Sequence, residues 1–550
     1  MSQPSRTPFT IYRTRRTLTL DPNRPQVTHV AVRDGRILGA GALDELTPWG
    51  DHVIDDRFAD RVLMPGFVEG HCHVIEGAFW RFLYVGYHDR MDPDGRIWPG
   101  LKNLAAVIER LQQANADSGG ATTPLVAWGF DPIYFRDRRC VRADLDRVST
   151  ARIVTVMHAS GHIINTNSAG LAAVGWLRTG VSHPGIPLGA DGQPTGEIKG
   201  PEAMAPVYEK SGVDRGVMSG DVQAVEAFGK LAVRTGVTTA TDLASPLPDD
   251  SVADMLAATG AAHYPLRVVP LLRQLAQPVA ETIERAVALR ARSTERLLLG
   301  RVKVVMDGSI QGFTARLREP GYFNGAPNGL WYTAPEQLRE ILTLALEHGV
   351  LVHLHTNGDA ATELVLDTME QVLTHRPVRD HRFTLQHCQL ADEGQFRRMA
   401  VLGMAVNLFA NHTFYWGDEH RTQTVGPERA ARMNACASAL RHGVPFGIHS
   451  DAPVTPLGPL FTAWCAVNRL TASGFPLGPA QRIAVDAALR AVTIGPAFTL
   501  KLDHEIGTIA AGKRADFAVL DADPTEIDPM ALKDLRVHGT VQGGRVFDAP

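Results

Sequence analysis

Cysteine is scarce in this chain. Its five copies, Cys72, Cys140, Cys388, Cys436 and Cys465, are spread through 550 residues with no CxxC spacing. That excludes a Cys-rich zinc module and a disulfide framework, and it fits reduced thiols in a cytoplasm. A charge excess is missing too: 59 acidic against 55 basic side chains leave a net charge of −4. No broad basic face for nucleic acid is implied. No apolar run reaches the roughly 20 residues that span a bilayer. The polar stretch from Ser2 to Arg16 lacks the apolar segment of a signal peptide. These absences leave a cytoplasmic globular chain, long enough for one large domain and a smaller one.

Histidine, by contrast, is plentiful, with 21 copies. The most informative pair closes an apolar run, Met64-Pro65-Gly66-Phe67-Val68-Glu69-Gly70-His71-Cys72-His73. Residues two apart on a strand share a face, so His71 and His73 can aim both imidazoles at one point, with Cys72 pointing away. Two neutral imidazoles are half of a zinc-type site. By itself the pair is equally compatible with strand-end histidines that only hydrogen-bond.

The ends of the chain read as short strands and turns. Phe9 to Leu20, Val27 to Arg33 and Arg36 to Ala40 are strand-like, with Asp34-Gly35 as a hairpin turn. The tail has the same texture around residues 507–520 and 537–546. Residues 1–62 and 499–550 are expected to build one small β-sandwich from both termini. Between them, 63–498 alternates strand and helix. Eight short apolar strands, counted from the His-x-His strand, predict an α/β fold of the (β/α)8 TIM-like barrel type, with an insertion at about 75–220 after the first barrel strand.

Barrels of this kind carry their chemistry at the C-terminal ends of the strands. Parallel strands should be nearly uniform apolar runs, yet these end in His71 and His73, in Lys303 to Asp307, in His353 and His355, in Gln386 and His387, and in His449 to Asp451. Imidazoles and a carboxylate at one mouth suit zinc or another divalent metal. Lys303 cannot ligate as an ammonium. As a carbamate formed with CO2 it could bridge two ions; otherwise it pairs with Asp307 or holds a substrate anion.

Taken in order, several segments resemble the amidohydrolase superfamily, and within it the branch of N-substituted formamide deformylases. They are Pro65-Gly66-Phe67 leading to His71-Cys72-His73, Gly161-His162, Pro194-Thr195-Gly196, Val302-Lys303 to Asp307-Gly308-Ser309, His355 to Asp359, Gln386-His387, Ser450 to Val454, and Gly507 to Asp516. The resemblance implies a metal-dependent enzyme that hydrolyses a non-peptide C–N bond, an amide or N-substituted formamide. It implies His71, His73 and Asp451 on one zinc ion, His355 and His387 on a second, and carboxylated Lys303 between them. Asp451 would also shuttle the proton, and His162 would meet the substrate carbonyl. Trp128, Asp131, Phe313, Asn411, His412 and Trp416 are candidates to contact a small amide substrate, and His353 and His449 to orient ligands. Exterior helices and the family's habit suggest a homodimer.

The chain departs from the pattern at two places. Gln311-Gly312-Phe313 stands where relatives often carry an arginine, and Gly200 where they often have a glutamate, with Glu202 displaced. Both fall in substrate-contact loops and bear on the substrate, not on the metal set. A deaminase or cyclic-amide hydrolase would use the same scaffold, but deaminases of this superfamily typically lack the bridging lysine. A catalytically idle binding protein would have no need of all six ligands.

Overall fold

A computed structural model describes residues 8–135, 139–213, 220–274 and 277–549. At its centre is a sheet of eight parallel strands in sequence order: β1 (Phe67–Glu69), β2 (Val237–Ser245), β3 (Arg267–Arg273), β4 (Arg301–Val305), β5 (Leu351–Thr356), β6 (Thr384–His387), β7 (Ala405–Leu408) and β8 (Phe446–Ile448). Helices link most of these strands. The expected TIM-like barrel is the observed architecture. The sheet curls until β8 meets β1 again, and the two ends are joined by backbone rather than by a full ladder. Asp451 N–H donates to His71 O (3.0 Å) and His73 N–H to Ala452 O (2.7 Å). Glu69 adds a side-chain clasp: its carboxylate accepts Ser450 N–H at 3.1 Å and Ser450 Oγ–H at 3.0 Å.

Alternation within the strands sets the two sides of the sheet. On β4, Val302 and Val304 are fully buried in the large cluster shared with the surrounding helices. The opposite face, Arg301 and Lys303, looks inward. Deep inside, Val68, Leu243, Val269 and Leu271 pack on Leu500, Leu502 and Ile506, which plug the barrel floor. Helix boundaries follow local chemistry. The helix Val222–Thr235 starts where Asp221 accepts the Ala224 N–H and stops at Gly236, which has φ +77°. There a Cβ would sit 2.7 Å from the Phe67 ring, so glycine is needed for both conformation and space. The sequence predicts one helix from Arg429 to His442, but the structure has two, Gly426–Arg432 and Cys436–Arg441. Asn434, at φ +51°, is left-handed and interrupts the helix.

The two chain ends meet in one seven-stranded sheet, ordered Arg545–Asp548, Val537–Gln542, Phe517–Leu520, His52–Pro65, Phe9–Leu18, Gln26–Arg33 and Arg36–Gly41. Asp34 and Gly35, both at positive φ, make the expected two-residue hairpin turn. The strand His52–Pro65 runs through Gly66 directly into β1, so this sheet anchors the first barrel strand. Arg267 on β3 reaches the same sheet and pairs with Asp516 at 2.7 Å, both side chains nearly inaccessible. Beyond β1, an inserted lobe carries a five-stranded sheet from Leu83–Tyr84, Leu125–Phe130, Val154–His158, Ile163–Thr166 and Glu197–Lys199. No helix among the described residues is long and apolar enough to cross a membrane.

Candidate metal centre

His71 and His73 lie beyond the end of β1 rather than on it, since the strand stops at Glu69. Their imidazoles still converge. Each Nε2 faces the same oxygen, Asp451 Oδ1, at 3.3 Å from His71 and 3.2 Å from His73. Two ligands bound to zinc at about 2.0–2.1 Å, at the tetrahedral angle, stand about 3.3–3.4 Å apart. These separations therefore match one ion's coordination shell. Cys72 points away, its thiol donating to Thr241 O.

A second pair lies beside the first. His355 Nδ1 is 3.0 Å from His387 Nε2, again a spacing that one ion can bridge. His355 Nε2 faces the other way, 3.2 Å from Gly308 O and 3.1 Å from Asn357 Nδ2, so Nδ1 is the nitrogen on the side of His387. His387 Nδ1 is 3.8 Å from Asp451 Oδ2, so the carboxylate touches both pairs. On a regular strand Gln386 and His387 would face opposite sides. His387 has φ +66° and Asp451 φ +54°. Left-handed backbone at non-glycine residues costs of order 1–3 kcal/mol and clusters at functional sites. Here it turns both side chains toward the centre.

Unpartnered buried polar atoms gather at this spot: Lys303 Nζ, His387 Nδ1, Asp451 Oδ1 and both ring nitrogens of His449. Buried polar atoms are nearly always satisfied, so the cluster fits a cation that coordinates them. Burial holds the His71, His355 and His387 imidazoles well below the usual range, with the Lys303 charge adding to it, so all three are neutral donors. Burial also holds Lys303 well below the ordinary lysine range, against the pull of Asp451. Asp307 does not pair with Lys303. Its carboxylate is taken up by the backbone N–H groups of Arg316, Asn357 and Gly358, each at 2.9 Å. It thereby fixes the loops after β4 and β5.

The other residues singled out by sequence divide into several groups. His162 comes from the inserted lobe to the barrel mouth, its ring 6.1 Å from that of Tyr332. Burial, then the charges of Arg273 and His73, push it down to about 4. Trp416 Nε1–H donates to Asp131 Oδ2 at 2.9 Å, and the two line a small cavity of about 30 Å³ with Val454 and Pro456, just after Asp451. Asn411 Nδ2–H donates to Thr455 Oγ1 at 2.8 Å. His412 lies 2.9 Å from His420 and meets the Phe409 ring edge-on; Phe409 in turn lies against His449, which stacks on His71 at 4.6 Å. Two residues stand apart. Trp128 is buried among Phe79, Trp80 and Tyr84 in the inserted lobe. Phe313 packs on Tyr322 in the loop after β4. Neither placement brings them to the histidines.

Three roles were not read from the sequence. Glu69 clasps the barrel seam beside His71, and burial pushes its carboxyl up to about 8. Gln386 orients His71. Arg273 ends β3 at the mouth. Each is a polar residue in or just after an apolar strand, which was the available signal.

A family profile described as the amidohydrolase family matches residues 59–548. The chain is 27% identical to the N-substituted formamide deformylase of Arthrobacter pascens, over 96% of each chain. It is also 27% identical to the putative amidohydrolase YtcJ of Bacillus subtilis, over 94% of this chain and 95% of that one. In fold it is similar to an uncharacterized metal-dependent hydrolase from Pyrococcus horikoshii, with a TM-score of 0.71, 18% identity, and 95% and 99% of the two chains covered. With its barrel, its strand-end histidines and a profile match over most of its length, this chain belongs to the amidohydrolase family.

Proposed function

We propose that the protein is a metal-dependent hydrolase of a non-peptide C–N bond, an amide or an N-substituted formamide. The observation that carries this reading is the placement of one carboxylate, Asp451, at 3.2 Å and 3.3 Å from two imidazole nitrogens and within 3.8 Å of a third histidine. His71, His73 and Asp451 would hold one divalent ion, zinc being favoured by the imidazole-rich set. His355 and His387 would hold a second, and Lys303 as a carbamate would lie between them. Burial holds the Lys303 amine well below the ordinary lysine range, which favours the uncharged form that adds CO2. Bound ions acidify water and polarise a carbonyl.

The chain's own groups supply the rest. Asp451 accepts the proton of the attacking water and returns it to the departing nitrogen, because an amine leaves poorly unless protonated. His162, neutral at pH 7, offers an N–H to the substrate carbonyl oxygen from the other side of the mouth. Water adds across the bond, giving a carboxylic acid and an amine. The relative named a formamide deformylase supports an amide or formamide over other bonds. The test is metal analysis of purified protein, joined to a hydrolysis screen over formamides, aryl amides, N-acyl amino acids and cyclic ureas. Metal-dependent release of amine is expected, and metal without turnover of any amide overturns the reading.

A further inference from the structure

Three enclosed arginines among the described residues have partners for their charge. Arg267 meets Asp516. Arg301 donates to Leu298 O and Leu500 O. Arg469 donates to three backbone carbonyls. Arg273 differs. Its side chain is half-buried, its Nε is enclosed without a hydrogen-bond partner, and among the described residues no carboxylate forms an ion pair with it.

Its position is fixed by register. The pairing of β3 with β4 sets Arg273 opposite Lys303. Register partners on adjacent parallel strands project to the same face, so Arg273 looks inward like Lys303. Leu271, two residues earlier, packs into the interior cluster and gives the same parity. Arg273 is the last residue of β3, so its long side chain reaches upward into the mouth. Its charge is felt there by His162, His355 and Tyr332. A guanidinium in a partly enclosed site is costly without an anion, and its planar fork matches a carboxylate.

We infer that Arg273 is a carboxylate-binding site, and that the substrate is an anionic amide whose own carboxylate pairs with Arg273 while its C–N bond lies over the histidines. This inference rests on the C–N hydrolase reading and narrows it. N-Formyl or N-acyl amino acids have the required chemistry, with the amide nitrogen and the carboxylate both attached to one α-carbon.

The test uses metal-loaded enzyme with N-formylphenylalanine and its methyl ester, read by formate release, which reports only the C–N bond. Wild type should favour the free acid. In Arg273→Gln the acid-to-ester ratio of kcat/KM should fall about 10- to 100-fold, the loss of charged hydrogen bonds, and Arg273→Lys should recover part of it. Metal content should be unchanged. Equal use of acid and ester by wild type, an unchanged ratio in Arg273→Gln, or loss of metal in that variant each overturns the anion site. Should neither compound release formate, the hydrolase reading fails for this class. Calorimetric binding of N-formylphenylalanine then still decides the site: saturable binding lost in Arg273→Gln supports it, and no binding overturns it.

Discussion

His71 Nδ1 lies 2.7 Å from Gln386 Oε1, although the two residues are 315 positions apart. The contact is one link in a chain that fixes a tautomer. Thr499 O can only accept, so His353 Nε2 carries the proton it donates at 3.0 Å. His353 Nδ1 then accepts from Gln386 Nε2 at 2.7 Å. Gln386 must therefore present its oxygen to His71, His71 Nδ1 donates, and His71 Nε2 keeps its lone pair for a metal.

Replacing Gln386 by Leu should weaken metal binding about 10- to 100-fold with the fold retained, the usual effect of removing a ligand's hydrogen-bond partner. Chelator competition measures it. Unchanged affinity would show that the chain of contacts has no part in holding His71.

Lys303→Ala should lose metal and activity together, and short carboxylic acids should restore part of both by supplying bridging oxygens. Full activity in the variant would remove the bridging role. Equal loss with no rescue would favour a structural part for the amine.

Asp451→Asn should fold and keep a large share of its metal while turning over negligibly, because the amide cannot accept the proton of water. Amine release measured at saturating substrate reads this. Rates near those of wild type would assign the proton transfer elsewhere.

The Arg267–Asp516 pair, buried on both sides, ties β3 to the terminal sheet. Asp516→Ala leaves an uncompensated buried guanidinium and should cost about 3–5 kcal/mol in urea unfolding. A loss under about 1 kcal/mol would mean that water reaches Arg267.

His158 in the inserted lobe donates from Nε2 to Asn165 Oδ1 at 2.6 Å, and burial pushes it down to about 4. A lowered histidine favours folding only while neutral. Its stability contribution is full above the unfolded value near 6.5 and is lost as pH falls from there toward 4. Metal-free protein should therefore lose stability across that window, and His158→Gln should flatten part of the slope. An identical pH profile for the variant would reject this assignment.

Much of this architecture is written in local spacing. The alternation of apolar strands and helices, the Asp34-Gly35 turn and the polar residues that end apolar strands all follow from the direction in which neighbouring side chains point. His71, His73, Lys303, His355, His387 and Asp451 are legible for that reason, since each breaks an apolar run that should carry no polar group. The split at Asn434 is not legible, because a single left-handed residue leaves the apolar period around it unchanged. Nor is the place of Trp128, since an aromatic looks the same in sequence whether it packs a lobe's core or faces a substrate.

The sequence by itself determined the barrel and the identities of the candidate ligands, because strand and helix periods depend only on residues a few positions apart. The tertiary structure decided how those ligands are held. The left-handed turns at His387 and Asp451 swing both toward His71 and His73, Glu69 closes the seam on Ser450, and Gln386 selects the free nitrogen of His71. It also decided that Arg273 stands beside Lys303 with no carboxylate paired to it among the described residues. These are relations between residues tens to hundreds of positions apart, and they exist only once the sheet has curled and brought β8 back to β1.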